Sequence, residues 1–121
     1  MTTILRTPAL QKAYHEYLDT IPESTCPLCD GLHATLQTWN HWLLVKNDFP
    51  YDKIVQTHLM LVTKRHIIED TMTAEEFNEL RSIKKELFSN PDFDMLIENT
   101  QPHKTIKDHF HLHLIHLRED L

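Results

Sequence analysis

The chain contains one glycine, Gly31, and this scarcity excludes two common ways of binding phosphate. A P-loop and a dinucleotide-binding turn both need several glycines, because their backbone turns tightly and approaches the phosphate closely. Any phosphate site in this chain must therefore use side chains, scattered backbone amides or the end of a helix.

Excess positive charge and long apolar segments are also missing. The chain has 12 Lys and Arg against 18 Asp and Glu, a net charge of −6, which argues against broad binding of nucleic acid or anionic membranes. No apolar run approaches the roughly 20 residues of a membrane span, and the N-terminus lacks the apolar core of a signal peptide. We expect one cytoplasmic domain over 1–121, with an N-terminal helical segment at 1–25 and a core at 26–117.

Cysteine is limited to two residues, Cys26 and Cys29, which are separated by two positions. In an intracellular chain this spacing is typical of half a metal site or of a redox pair, and plain buried thiols are a third interpretation. Half a metal site needs two further ligands, and the ten histidines of the chain supply candidates.

Two helices are predicted. The first covers 8–19, where Thr7 can cap the helix, Pro8 suits its first position, and an apolar stripe consists of Leu10, Ala13, Tyr14, Tyr17 and Leu18. The second begins with a capping box at Thr73 and Glu76 and ends before Pro91. Its predicted buried stripe consists of Phe77, Leu80, Ile83, Leu87 and Phe88.

Alternating or continuous apolar residues predict strands. A half-buried strand is expected at 32–37 and a more buried one at 42–45, joined by a turn near Asn40. Further strands are expected at 58–62, 94–99 and 109–117. Strands interrupted by one long helix indicate an α+β fold with an antiparallel sheet.

The last strand alternates histidine with large apolar residues. Because successive side chains of a strand point to opposite faces, the histidines should share one face and the apolar residues the other. Each imidazole is a potential base, nucleophile or metal ligand near neutral pH. The pattern therefore predicts a functional site at His109, His111 and His113. By contrast, His58 is predicted to be a packing residue, and solvent exposure is predicted for His15, His33, His41 and His103.

The strand that closes with Lys64-Arg65-His66, followed by His109-x-His111-x-His113, resembles the histidine triad superfamily. The pattern of that family is a strand ending near Pro-Lys-x-His, a long helix, and then His-φ-His-φ-His-φ-φ, where φ is apolar. The resemblance covers about 26–115. It implies a five-stranded antiparallel sheet with two helices, usually in a homodimer, and a hydrolase or transferase acting on purine nucleotides or dinucleotides.

The resemblance also implies roles for individual residues. His111 would attack the α-phosphorus to form a nucleotidyl-histidine, and His113 would contact the non-bridging oxygens. Asn99 would contact phosphate or the leaving group, and Asn47 would hold the ribose hydroxyls unless it only caps a turn. In the segment 103–108, which lacks the usual glycine of the family, the substrate-binding candidates are Lys104 and Thr105.

A bacterial subset of the family carries structural zinc, and the matching residues here are Cys26, Cys29, His66 and His109. Two thiolates and two imidazoles make a closed tetrahedral set. The segment from Asn47 to Tyr51 looks more like the dinucleoside polyphosphate phosphorylase branch than the phosphoramidase branch.

Two alternatives remain open at the level of the sequence. The three alternating histidines could form an all-histidine zinc centre with an open position. The chain could also be a zinc-stabilised module that binds a nucleotide or a protein without turnover.

Overall fold

The part of the chain that the structure describes folds into two helices and a five-stranded sheet, as predicted. The computed structural model describes residues 5–29 and 33–121. Within them no helix is long and apolar enough to cross a bilayer. Single turns of 3-10 helix occur at Glu69–Thr71 and Gln101–His103. In chain order the helices and strands are α1 (Pro8–Asp19), β1 (Thr35–Thr38), β2 (Trp42–Lys46), β3 (Val55–Thr63), α2 (Ala74–Phe88), β4 (Met95–Ile97) and β5 (His111–Leu117).

The sheet is antiparallel throughout and has the strand order β1-β2-β3-β5-β4. The central strand β3 pairs with β2 on one side and β5 on the other, which explains why most of its side chains are buried. In the register of β3 and β5, His111 lies opposite Val62 and His113 opposite Met60. Directly opposed residues share a face. The two histidines therefore lie on the face of the sheet that carries Met60 and Val62.

The other face of the sheet carries the main hydrophobic core. Phe110, Leu112 and Leu114 pack there against α2, as the alternation predicts. The strand itself begins two residues later than predicted, at His111. The cause is local, because the N–H of Phe110 donates to the carbonyl oxygen of Ile67 at 2.7 Å instead of continuing the pairing of β5.

Helix α2 has the predicted capping box, in which Thr73 and Glu76 hydrogen-bond to each other's backbone N–H. Its predicted apolar stripe is wrong at both ends, because Phe77 is 42% and Phe88 54% exposed. At 100° per residue these two side chains point roughly 90° or more away from the direction shared by Leu80, Ile83 and Leu87. Glu76 occupies that direction instead and is 1% exposed.

Helix α1 has the predicted bounds, with Thr7 as N-cap and Pro8 at its start. Its stripe differs from the prediction, since Ala13 is exposed whereas Gln11 is buried. The buried Gln11 side-chain oxygen accepts a hydrogen bond from Arg6, which offsets the cost of removing this polar group from water.

The hairpin of β1 and β2 forms as predicted, but β1 is not half-buried. All four of its residues are exposed, and Leu36 is 55% exposed. β1 is an edge strand of the sheet, and its pairing with β2 is irregular between Thr35 and Gln37. Leu32, with which this strand was predicted to begin, lies outside the described residues.

Candidate functional site

The two cysteines lie beside two histidines from distant parts of the sequence. Cys26 and Cys29 belong to the segment after α1, His66 follows β3, and His109 lies two residues before the start of β5. One ligand atom from each of the four residues lies within 4.8 Å of all the others. The Sγ of Cys29 is 3.1 Å from Nδ1 of His66 and 3.3 Å from Nδ1 of His109. This is the cluster predicted from the sequence, and it could hold a metal ion.

The outer nitrogens of the two imidazoles are also engaged. Nε2–H of His109 donates to the carbonyl oxygen of Thr63 at 2.7 Å, and Nε2–H of His66 donates to the carboxylate of Asp108 at 3.2 Å. A neutral histidine that donates from Nε2 has an unprotonated Nδ1. When histidine binds a metal through one ring nitrogen, its other ring N–H usually donates to an oxygen acceptor, which orients the ring. In the neutral form of each ring, the Nδ1 lone pair therefore points toward the cysteines, as metal binding requires.

His111 and His113 line a cavity of about 380 Å³ next to this cluster. The walls of the cavity come from α1, the loop before β3, and the segment before β5. Its aromatic lining consists of Tyr14, Tyr17, Phe49 and Tyr51. The cavity therefore combines an apolar wall with two buried imidazoles.

The tautomer of His111 is fixed by the backbone. Its Nδ1–H donates to the carbonyl oxygen of His109 at 2.8 Å, so its Nε2 carries a lone pair. Burial lowers the pKa of His111, although the hydrogen bond to His109 opposes this shift. His111 is therefore neutral near pH 7, with Nε2 available to a ligand.

His113 has the opposite tautomer because of His58. Nδ1 of His58 accepts from the N–H of Tyr51 at 3.0 Å, so the ring proton of His58 is on Nε2. Two groups lie near this Nε2: Nδ1 of His113 at 2.8 Å and the amide nitrogen of Asn47 at 3.2 Å. The amide nitrogen is itself a donor and cannot accept the proton. His58 therefore donates to Nδ1 of His113. Nδ1 of His113 is therefore an acceptor, and its Nε2–H is a donor.

Both members of this histidine pair are held neutral. Burial lowers the pKa of His58 to about 3, and the nearby charge of Arg6 adds to the effect. Burial also lowers the pKa of His113 well below its ordinary value, with smaller contributions from His111 and His58. The prediction that His58 is a buried residue with satisfied hydrogen bonds holds, but it also contacts the candidate site.

Three of the four predicted substrate-binding residues line the same cavity, namely Asn47, Asn99 and Thr105. The Asn47 oxygen accepts from the N–H of Phe49 at 2.8 Å, so the turn-capping role exists. The Asn99 amide donates to the Tyr51 hydroxyl at 2.9 Å, and the Thr105 hydroxyl is hydrogen-bonded to that of Tyr14.

Lys104 does not line this cavity. Its ammonium group lies 3.3 Å from the carboxylate of Glu98 and 5.6 Å from the centre of the Phe110 ring. It belongs to a neighbouring depression that also includes Lys107. Its charge still acts on His111, whose pKa it helps to lower.

Several residues of the cavity were not predicted from the sequence. Arg6 and Tyr14 reach it from the N-terminal segment, and no sequence pattern signals this. Three histidines that were predicted to be solvated, His15, His33 and His103, also line it, and His33 is half-buried. These histidines are far apart in the sequence, so the sequence alone did not indicate that they line one cavity.

No family model matches the chain, and no curated protein matches it.

Proposed function

We propose that the chain is a nucleotide hydrolase or transferase of the histidine triad type, with a nucleotidyl-histidine intermediate on His111. The observation that carries the proposal is the pair of complementary tautomers in one cavity. His111 offers a lone pair at Nε2, and His113 two residues later offers an N–H at Nε2. A nucleophile beside a hydrogen-bond donor is the arrangement that phosphoryl or nucleotidyl transfer requires.

In the first step, Nε2 of His111 attacks the α-phosphorus of the substrate. A P–N bond forms, and the bond from phosphorus to the leaving group breaks. The electron pair of that bond departs with the leaving group: a polyphosphate leaves as an anion, and an amine takes up a proton from water. The Nε2–H of His113 donates to a non-bridging oxygen, where negative charge increases. One such donor contributes about 2.7–4 kcal/mol to the stability of a transition state.

In the second step, water or another acceptor such as phosphate attacks the same phosphorus. A P–O bond forms as the P–N bond breaks, and an attacking water releases its proton to solvent. The electron pair of the P–N bond returns to Nε2. The starting tautomer is restored, because the ring proton stays on Nδ1 of His111, where it is hydrogen-bonded to the His109 carbonyl. Asn47 and Asn99, which line the cavity, are proposed to contact ribose and the phosphate or leaving group.

We propose zinc for the cluster of Cys26, Cys29, His66 and His109. Usual zinc bond lengths give a separation of about 3.5 Å between sulfur and nitrogen ligands of a tetrahedral site. Nδ1 of His109 is 3.5 Å from Cys26 Sγ and 3.3 Å from Cys29 Sγ. With four protein ligands the metal would be structural, joining the segment after α1 to the start of β5.

A non-catalytic nucleotide-binding module is the second candidate. It is favoured by Thr105, whose hydroxyl is hydrogen-bonded to Tyr14, and by the absence of glycine from 103–108. In this case the cavity binds a nucleotide, but His111 performs no covalent step.

Both candidates include the homodimer that the resemblance implies. Light scattering coupled to size exclusion should then give twice the chain mass of 14.4 kDa.

Product analysis tests the proposed reaction. The zinc-loaded protein is incubated with diadenosine tetraphosphate and with adenosine phosphoramidate, with and without phosphate. We expect turnover of at least one compound, and a loss of about a thousandfold or more in His111→Ala with AMP binding retained. AMP as the product indicates hydrolysis, and ADP that forms only with phosphate indicates phosphorolysis.

His116→Ala is the matched control, because His116 is a histidine of the same strand that does not line the cavity. It should retain most of the activity. A chain that binds AMP but converts neither compound contradicts the enzyme and supports the binding module.

A further inference from the structure

Within residues 5–29 and 33–121, Arg6 is a buried cation without a carboxylate partner. Its side chain is 7% exposed, and among the described residues no carboxylate forms an ion pair with it. Asp52 lies near enough to influence its charge, but the two oxygens of that carboxylate accept from the backbone N–H and the hydroxyl of Thr7, at 2.7 and 2.8 Å. No carboxylate of the described residues therefore neutralises the charge of Arg6.

The contacts that Arg6 does make leave most of its hydrogen-bonding capacity free. Nε donates to the carbonyl oxygen of Phe49 at 2.7 Å, and one terminal nitrogen donates to the side-chain oxygen of Gln11 at 3.2 Å. A guanidinium group has five N–H donors, and in the part of the chain that the structure describes the remaining three have no acceptor. Buried charges are normally paired, because removal from water is costly.

The side chain is held in place by aromatic rings. The central carbon of the guanidinium lies 4.3 Å from the centre of the Tyr14 ring and 4.9 Å from that of Tyr51. Cation–π contacts of this kind stabilise and orient a guanidinium group but do not neutralise it. Arg6 is therefore positioned in advance, as a binding residue should be.

Arg6 lines the same cavity as His111 and His113. The Tyr51 ring is 4.9 Å from the guanidinium carbon and 5.2 Å from the His113 ring, so Arg6 and His113 are within about 10 Å of each other. One ligand of the size of a phosphoanhydride chain can reach both residues.

We propose that Arg6 forms a second anion subsite in this cavity, which binds a phosphate group other than the one that His111 attacks. Arginine suits this role because its planar fork of donors matches two phosphate oxygens at once. The identity of the ligand rests on the proposed function. Given that function, the subsite selects nucleotides with at least two phosphates over nucleoside monophosphates and phosphoramidates.

Calorimetric titration with inorganic pyrophosphate tests the subsite without any nucleotide or turnover. Arg6→Gln removes the charge, and Arg6→Lys keeps the charge but lacks the fork. Lys12→Gln is the matched control, since it removes one positive charge from the neighbouring helix, where Lys12 is 80% exposed. Circular dichroism checks that each variant is folded, and Arg6→Lys carries the test if Arg6→Gln does not fold.

We expect Arg6→Gln to weaken pyrophosphate binding at least about tenfold, the effect of one lost charge-assisted hydrogen bond. Arg6→Lys should bind more weakly than the native chain, and Lys12→Gln should bind within about twofold of it. ADP should bind more tightly than AMP to the native chain, and Arg6→Gln should lose this preference. Equal binding of pyrophosphate by the native chain and both Arg6 variants, or no binding at millimolar concentration, would overturn the proposal.

The outcome is independent of the proposed reaction. Pyrophosphate binding that depends on Arg6, in a chain that converts no nucleotide, supports the subsite and rejects the enzyme. Turnover that depends on His111, with pyrophosphate binding unaffected by Arg6, supports the enzyme and rejects the subsite.

Discussion

The carbonyl oxygen of His109 accepts the Nδ1 proton of His111 over 2.8 Å. The ring of His109 faces the two cysteines, while its backbone holds the tautomer of the next histidine on that face. The candidate metal cluster and the proposed nucleophile therefore share one residue. A metal on His109 would restrict the position of this carbonyl, and so would support His111 without contacting the substrate.

The two cavity histidines should show opposite tautomers in solution. Long-range ¹H–¹⁵N correlation spectra of the zinc-loaded chain at pH 7 should give His111 as the Nδ1–H form and His113 as the Nε2–H form. The physical reason is that His111 donates to a carbonyl, which can only accept, whereas His113 accepts from His58.

His58→Gln is the informative variant for this measurement. It should change the signals of His113 and leave the Nδ1–H form of His111 intact, because the His109 carbonyl is unaffected. Observation of the same tautomer for both residues in the native chain would remove the main support for the proposed nucleophile and donor.

Acid should destabilise the fold through His58. Its pKa is about 3 in the folded chain and about 6.5 when unfolded, so between these values the unfolded state binds the extra proton. The contribution of neutral His58 to the free energy of unfolding is fully present above pH 6.5 and is lost as the pH falls toward 3. One such group lowers the free energy of unfolding by at most about 1.4 kcal/mol per pH unit in this window.

The measurement is denaturant unfolding of the native chain and His58→Gln between pH 5 and 8. Both proteins keep the same cysteine and histidine cluster, so any effect of pH on a bound metal is common to them. The free energy of unfolding of the native chain minus that of His58→Gln should be constant above pH 7. At pH 5 this difference should be lower by about 2 kcal/mol. Parallel curves over the whole range would show that His58 is not held neutral.

The sequence was sufficient to predict the elements with strong local signals. Thr7 and Pro8 define the start of α1, and Thr73 with Glu76 defines the start of α2, because capping acts within one helical turn. The metal cluster was also predictable, although its members are up to 83 residues apart, because Cys-x-x-Cys needs further ligands and the family resemblance indicated them.

Burial was harder to predict, because it depends on which other element covers a side chain. Leu36 alternates correctly for a half-buried strand, yet β1 is an edge strand and its residues are exposed. The apolar Phe77 is exposed because it points away from the buried face of its helix. The charged Glu76 points toward that face and is buried, with its charge paired to Arg65. Arg6 shows the same limit, since its role depends on ring contacts with Tyr14 and Tyr51.

Glu76 should contribute far more to stability than its neighbour Glu75. The Glu76 carboxylate accepts from Arg65 at 2.6 Å and from the N–H of Thr73 at 2.8 Å. The Arg65 hydrogen bond holds the pKa of Glu76 at about 2, so the carboxylate is charged at pH 7. Glu76→Gln should lower the melting temperature by about 5 °C or more, because the buried side chain loses the charge that its hydrogen bonds with Arg65 and Thr73 stabilise.

Glu75→Gln is the matched control for this prediction. It lies in the same first turn of α2, near the same positive end of the helix dipole, but it is exposed. Its substitution should change the melting temperature by about 2 °C or less. Equal effects of the two substitutions would mean that the dipole, rather than Arg65, accounts for the contribution of Glu76.

Metal content is the most direct test of the four-residue cluster. The purified chain should contain about one equivalent of zinc by mass spectrometry, and Cys29→Ser or His66→Ala should reduce it to a small fraction. His41→Ala, which changes a histidine outside the cluster, should retain the metal. Chelation should lower the melting temperature by at least about 10 °C, because binding energy at a structural site stabilises the folded state.

Chelation also separates a structural metal from a catalytic one. The cluster supplies four protein ligands, so a bound ion has no open position for substrate. Replacing zinc by cobalt or cadmium should therefore restore the melting temperature and leave the rate of nucleotide turnover within a few-fold of that of the zinc form. A rate that follows the identity of the metal, with the melting temperature unchanged, would instead require an open metal position. Such a result would mean that the metal, rather than His111, carries out the reaction.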